Sequence, residues 1–186
     1  ISGKVGYIES PIQQHLSSND PDVDAIYRLT HNQNSIKFKK KLPLAISVGT
    51  FSTFNSQNTR WFKPAFPLLY LPTMCTFRSC DIWRGLVALR ILHLNSKSLI
   101  YCSSSNVQIR NYHNFFNDFI DEIPVYLKSK EIIEMIYSIK LPLGEKKIPE
   151  SLFLIYSKLV QKKIFPKKEM IYLKAWLKDI KKLNNF

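Results

Sequence analysis

TFRSCDIWRGLVALRILHL, residues Thr76–Leu94, is the stretch whose reading decides the fold. Ile82–Leu94 is the best helix candidate in the first half of the chain. Ser79 stands where an N-cap is expected, because a hydroxyl there accepts from the free amides of the first turn. Asp81 then falls in that turn, where a negative charge suits the helix dipole. A helix here, packed on a sheet drawn from the segments between Ala25 and Cys102, predicts a mixed α/β core.

The flanking runs are short and β-like: Ala25–Leu29, Ser35–Phe38, Leu44–Val48, Thr50–Phe54, Asn58–Phe62 and Ser98–Cys102. Pro64 suits the first turn of a short helix running to Tyr70. Ser103–Asn106 reads as a loop, and Tyr112–Ile123 as a helix that stops before Pro124. Beyond Tyr126 the pattern is helical only. Ile132, Ile133, Met135, Ile136 and Ile139 make one apolar face; Leu152, Ile155, Tyr156, Leu159 and Val160 make another. Ile171, Tyr172, Ala175, Trp176 and Ile180 make a third, with Pro142, Pro149 and Pro166 between the segments.

The expected organisation is therefore a core over residues 1–125 and a lysine-rich helical appendage over 126–186. Charge divides the same way. Of the net +13, residues 1–125 contribute +5 (13 basic, 8 acidic) and residues 126–186 contribute +8 (14 basic, 6 acidic). All six arginines lie in the first region. With 45% apolar and 22% charged residues, the composition is that of a globular chain and not a disordered one. It holds no apolar run of membrane-spanning length. It opens Ile-Ser-Gly, which reads as a processed product or an excised piece. Cys75, Cys80 and Cys102 show neither a C-x-x-C pair nor zinc-ligand spacing and are expected as three buried thiols, with one bridge among them the alternative.

SSNDPDVDAIYRLT (Ser17–Thr30) packs Asp20, Asp22 and Asp24 into five positions. A calcium loop counted from Asp20 needs Gly and Glu where Ala25 and His31 stand, so that reading fails. A metal site holding a nucleotide diphosphate wants an apolar strand leading into the acids. PIQQHLSSN looks polar and turn-like, and the apolar run follows the acids instead. Asn19 and Asp20 before Pro21 fit a turn, with one acid left to face a pocket.

Three further stretches bear on the family: FNSQNTRWFKPAFPLLYLP (Phe54–Pro72), TFRSCDIWRG (Thr76–Gly85) and QIRNYHNFFNDFIDE (Gln108–Glu122). With NDPDVDAIYRLT and the tail segment KKEMIYLKAWLKDI (Lys167–Ile180), this ordered series resembles the STELLO family of GT-A-type glycosyltransferases. A weaker likeness exists to the reversibly glycosylated polypeptides, plant UDP-arabinopyranose mutases. The resemblance runs from about Gly6 to Ile180. It implies the C-terminal portion of a GT-A-like domain, a nucleotide sugar donor, and a glycan or protein acceptor. It further implies a divalent metal, Mn or Mg, in the full-length protein, and a Golgi setting. Family members carry an aspartate-rich metal motif upstream of this region. No such run occurs here, so the donor half is expected outside the chain and the chain alone is expected to be inactive.

The resemblance also gives candidate roles. Asp81 matches the carboxylate that takes the acceptor hydroxyl proton at a helix start; its alternative is a helix-end charge. Trp83 would present a ring to a sugar and Arg84 a fork to phosphate or carboxylate. A core Trp and a surface Arg are the alternatives, and for Trp83 the core is the better expectation. Asn55, Gln57 and Asn58 can read sugar hydroxyls or cap a hairpin, and Asp81 is expected to share a cleft with Gln57 and Asn58. His113 matches the late metal-binding histidine of GT-A enzymes, whereas His15, His31 and His93 have no such context. No nucleophile elbow, phosphate-binding glycine loop or HExxH helix supports a hydrolase or triphosphatase.

Two other functions stay open: a non-catalytic scaffold whose tail helices meet a protein partner, and a basic module for an anionic polymer. Nucleic acid is not favoured, because the lysines are scattered and no groove-reading motif is present. Membrane association would come only through segments outside this chain.

Overall fold

A computed structural model describes residues 5–31 and 35–184. Four strands form one mixed sheet: β1 (Ile12–Asn19), β2 (Leu44–Ala45), β3 (Thr59–Trp61) and β4 (Leu99–Gln108), in the order β2-β4-β1-β3. Only β1 and β4 run parallel, in register from Ile12 opposite Leu99 to Asn19 opposite Gln108 with a shift between His15 and Ser17. A parallel pair needs a long crossover. Here it passes through β3, a 3-10 helix (Lys63–Leu69) and α2 (Phe77–Leu94).

The helix expected at Ile82–Leu94 is present and starts earlier, at Phe77, with Thr76 in the N-cap position. It is buried nearly all round, which fits its almost continuous apolar run. Leu86, Leu89, Ile91 and Leu92 are each at most 2% exposed, and burying such a side chain contributes roughly 1.5–3 kcal/mol. They share one core with Ile12 of β1 and Leu99 of β4. α3 (Phe115–Tyr137), α4 (Ile148–Gln161) and α5 (Glu169–Asn184) complete the mixed α/β fold and its C-terminal helical portion. The same core takes in Ile132, Ile136, Leu152, Ile155 and Leu173, so residues on both sides of position 125 pack together.

Several local expectations need correction. Ala25–Leu29 is not a strand: α1 (Ala25–Thr30) is a helix. The Asp24 carboxylate accepts from the Tyr27 amide at 3.0 Å, and the Ala25 amide donates to Glu122 at 2.8 Å. Satisfying amides at both ends of the first turn favours the helix over an extended run. The polar PIQQHLSSN, taken for a turn, contains β1. Its exposed-looking residues are half-buried between β3 and β4, and Gln14 and Ser17 are buried. Thr50–Phe54 is irregular, Ser35–Phe38 retains only an Ile36 bridge to Asn19, and the runs at Leu44 and Asn58 shrink to β2 and β3.

Ser103–Asn106 is strand, not loop, because β1 supplies a backbone partner and hydroxyls bond across the sheet. Ser18 Oγ donates to Ser104 Oγ at 2.7 Å, and Asn58 Nδ2 to Ser105 Oγ at 3.0 Å. α3 begins at Phe115, where Asn114 caps it, and it runs through Pro124 instead of stopping there. Ile132 and Ile136 lock its far end in the core, which offsets the one backbone hydrogen bond that proline lacks. The three cysteines are free thiols, partly rather than fully buried. Among the described residues, no helix is long and apolar enough to cross a membrane.

Candidate functional site

Because β1 and β4 run parallel, their carboxyl ends, at Asn19 and Gln108, lie together. The aspartates follow one strand and Arg110 the other. Asp22 Oδ1 receives Arg110 Nη2 and, at 3.4 Å, Arg78 Nη1. Arg78 also reaches Asp118 at 2.8 Å and Glu122 at 3.3 Å. Asp20 pairs with Arg28 at 2.9 Å, and Arg28 donates to the Pro21 carbonyl. The acids are thus spent on guanidinium groups and on capping α1. This arrangement stitches α1, α2 and α3 to the end of the sheet.

Beside this network lies a cavity of about 660 Å³, walled by α1, the start of α2, the middle of α3 and the loop before β3. Asp22, Asp24, Asn55, Ser56, Arg78, Asp81 and Glu122 are among its polar lining residues. Asp81 is the fifth residue of α2, not in its first turn. Ser79 is not the cap; its buried hydroxyl lies 2.5 Å from Thr76 Oγ1 and near the Asp121 carbonyl. The helix-end reading of Asp81 therefore loses its geometric basis. One oxygen of Asp81 accepts from the Ser56 amide at 2.9 Å. Burial pushes its carboxyl above the usual range, with the Asp22 charge adding to the rise and the Ser56 amide and Arg84 opposing it.

The loop carrying Ser56 is held from several sides. Buried Gln14 accepts from the Asn55 amide and from Thr59 Oγ1, both at 3.0 Å. Asn55 Oδ1 accepts from the Gln57 amide at 3.1 Å, a local turn of the kind asparagine makes. Gly85 lets the loop approach α2: a Cβ there would sit 3.1 Å from the Phe54 carbonyl and 3.3 Å from its ring.

Of the sequence-derived candidates, Asp81 and Asn55 meet in this cavity, and Gln57 and Asn58 are not among its lining residues. Gln57 Oε1 accepts from the Asp22 amide at 3.0 Å, bracing the acidic loop from behind. Asn58 spends its amide on Leu16 and Ser105. Trp83 is 4% exposed and edge-on to Phe165, so its ring is a core element and offers no face to a sugar. Arg84 is equally buried, not a surface residue; it donates to Ser56 Oγ at 2.9 Å and lies over Trp61. His113 stands 3.4 Å from Asp118. Cys80 also lines the cavity, but burial and the Asp81 charge push its thiol up, so it is not primed as a nucleophile.

Arg78, Arg110 and Glu122 were missed as site residues, although all three lie in motifs that carry the resemblance. Charged residues inside long motif stretches were the available signal. Asp22 and Asp24 both face the cavity, where one acid was expected.

The divalent metal implied by the resemblance finds no fitting ligand set here. Among the described residues no group of three or more His, Cys, Asp or Glu is placed to hold a metal ion. At the carboxyl ends of the strands, guanidinium groups already neutralise Asp20 and Asp22.

Fold and site together define an α/β domain with an acid-lined cavity at the edge of a short mixed sheet. The family model of the STELLO glycosyltransferases matches residues 78–186, more than half of the chain. The chain belongs to that family. Comparison with curated proteins finds no match. The matched segment includes Arg78, Asp81, Arg110 and Glu122, whereas Asp22 and Asn55 lie outside it.

Proposed function

We propose that the protein transfers a sugar from a nucleotide sugar to a glycan or protein acceptor, with Asp81 as the base that takes the acceptor hydroxyl proton. The observation carrying this reading is the place of Asp81: a carboxylate on the wall of an open cavity, oriented by the Ser56 amide, in a glycosyltransferase-family chain. A base works best when its affinity for a proton is drawn toward the operating pH, and burial moves Asp81 in that direction. Arg84 acts at one remove, fixing Ser56 through its hydroxyl and so the amide that aims Asp81. Asn55 lines the cavity, but its side-chain amide is spent on Asp22 and on the Gln57 amide, so it acts as a positioning residue for the acidic loop. Gln57 and Asn58 serve as positioning residues for the loops around it. His113, 3.4 Å from Asp118, helps hold that carboxylate beside Arg78 in this reading.

The pH profile of transfer by the natural protein that carries this chain tests the assignment. The acid limb of kcat/KM should lie above the ordinary carboxylate range, since Asp81 must be ionised to act. That limb should vanish in the residual activity of Asp81→Asn. A limb unchanged in the variant would assign the base elsewhere.

A further inference from the structure

Scattered along the sequence, the lysines of the tail collect in the fold on one side of α5. Leu173 and Ile180 turn into the core, at 0% and 6% exposed. The side away from them presents Lys174, Lys178, Lys181 and Lys182, as the helical period requires, and the turn that opens α5 adds Lys167 and Lys168; all six are exposed. Of the acids in α5, Glu169 is fully buried and Asp179 is paired with Lys182 at 3.1 Å. Among the described residues no carboxylate reaches the other lysines of this face. Elsewhere exposed lysines are matched one turn on, Lys130 with Glu134 at 3.9 Å and Lys147 with Glu150 at 2.8 Å. On α5, Lys174, Lys181 and Lys182 each stand one turn from Lys178, like-charge spacings that weaken a helix. Lys168 lies over Tyr172 at 5.9 Å and Lys174 over Phe153 at 6.0 Å, contacts that steady the side chains without neutralising them.

We infer that this face is a docking strip for a linear acidic glycan, one that bears a uronate carboxylate on its sugars. A row of cations left without counter-charge matches a row of anions along the partner. The strip runs the length of α5, about 24 Å for its 16 residues, a shape suited to an extended chain. Its cations are all lysines, mobile point charges, with no guanidinium fork to grip a phosphate by two bonds. It offers no free ring for a nucleobase to stack on. Tyr172 lies under Lys168, and Trp176 gives its indole N–H to the Pro67 carbonyl at 2.9 Å. Ile171 within the strip and Leu183 at its far end are the large apolar side chains, 64% and 80% exposed. They are too few and too far apart to seat in a bilayer. What remains is a polymer held by its charge spacing. The choice of a glycan among polyanions rests on the glycosyltransferase reading. Glu169 also ties the head of the strip to the Thr73 and Met74 amides, between Leu71 and Phe77, which both line the Asp81 cavity. The strip therefore starts next to the site.

Calorimetric titration of this protein with oligogalacturonates tests the idea, with fully methyl-esterified oligomers of the same length as the uncharged control. The uronate form should bind, and should weaken at least about tenfold as salt rises from about 50 to about 200 mM. The ester should not bind. Lys174→Glu with Lys178→Glu should weaken binding at least about tenfold, and Lys174→Arg with Lys178→Arg should keep it. Lys39→Glu with Lys40→Glu makes the same change of net charge before β2 and should leave affinity within about twofold. All four lysines are exposed, so none of these changes threatens the fold. No binding, equal binding of the ester, or an equal loss in the two charge-reversed variants would overturn the inference, the last because net charge alone would then explain the affinity. So would tighter binding of poly(U) RNA or of phosphatidylserine vesicles than of the oligouronate. Because these readouts need no turnover, they fail independently of the base assignment. Normal transfer by Asp81→Asn sinks the base and leaves the strip, whereas a failed titration sinks the strip and leaves Asp81.

Discussion

Asp81 shows how one residue changes meaning when its surroundings become visible. Read along the chain, it is a charge near a helix start; in the fold it lies a turn further in, half-buried on a cavity wall. Its folded carboxyl holds a proton more tightly than the unfolded chain does, where an aspartate titrates near about 3.9. The stability this contributes is full below that value and is lost as pH rises through the raised folded value. Asn keeps an oxygen for the Ser56 amide and has nothing to ionise. Chemical denaturation of both forms between acidic and neutral pH should therefore show Asp81→Asn gaining on the wild type as pH rises. A helix-end role would give the reverse trend, with the variant losing ground once the wild-type carboxylate ionises. Trp83 and Arg84 carried less information in the sequence, because indole and guanidinium groups serve core and site equally well. Only burial at 4% and 5% separates the roles.

At the scale of elements, the site depends on the loop at residues 53–56 lying tight against α2. Gly85 sets that distance. Gly85→Ala should gain up to about 1 kcal/mol of helix propensity, yet its Cβ would press on the Phe54 carbonyl and ring. Overpacking of this kind costs typically about 1–3 kcal/mol. The expected net outcome is a lower melting temperature together with weakened transfer, because the Ser56 amide moves from Asp81. A clear rise in melting temperature with unimpaired activity would show that the loop yields freely. The long apolar segments were legible in the sequence: α2, α4, α5 and the far half of α3 lie where periodicity placed them. The polar elements were not. β1 reads as a turn because its hydrogen-bonding side chains serve a half-buried strand, and α1 reads as a strand because its decisive partner, Glu122, is 97 positions away from Ala25.

The whole molecule is held together across its length by a few buried polar contacts on a shared core. Glu169, fully buried at the start of α5, accepts from the Tyr70 hydroxyl and from the amides of Thr73 and Met74. These bonds fasten the tail to the segment leading into α2. Glu169→Ala would orphan all three donors at roughly 1–3 kcal/mol each, and a loss of more than about 3 kcal/mol in urea unfolding is expected. A loss below about 1 kcal/mol would mean that the tail is joined to the core by apolar packing alone. Such long-range contacts, like the arginine network around Asp22, are invisible to periodicity, since neither partner departs from its local pattern. The family-bearing motifs were legible, and with them Asp81 as a candidate; the cavity that gives Asp81 its setting was not. The most direct measurement is the rate of sugar transfer by the natural protein carrying this chain, assayed over a panel of UDP- and GDP-sugars, for wild type and Asp81→Asn, alongside nucleotide-sugar binding. With Asp81 as the base, the variant should fold, bind the donor as the wild type does, and transfer about 10²–10⁴-fold more slowly. Transfer at near wild-type rate by a folded Asp81→Asn protein would contradict the account.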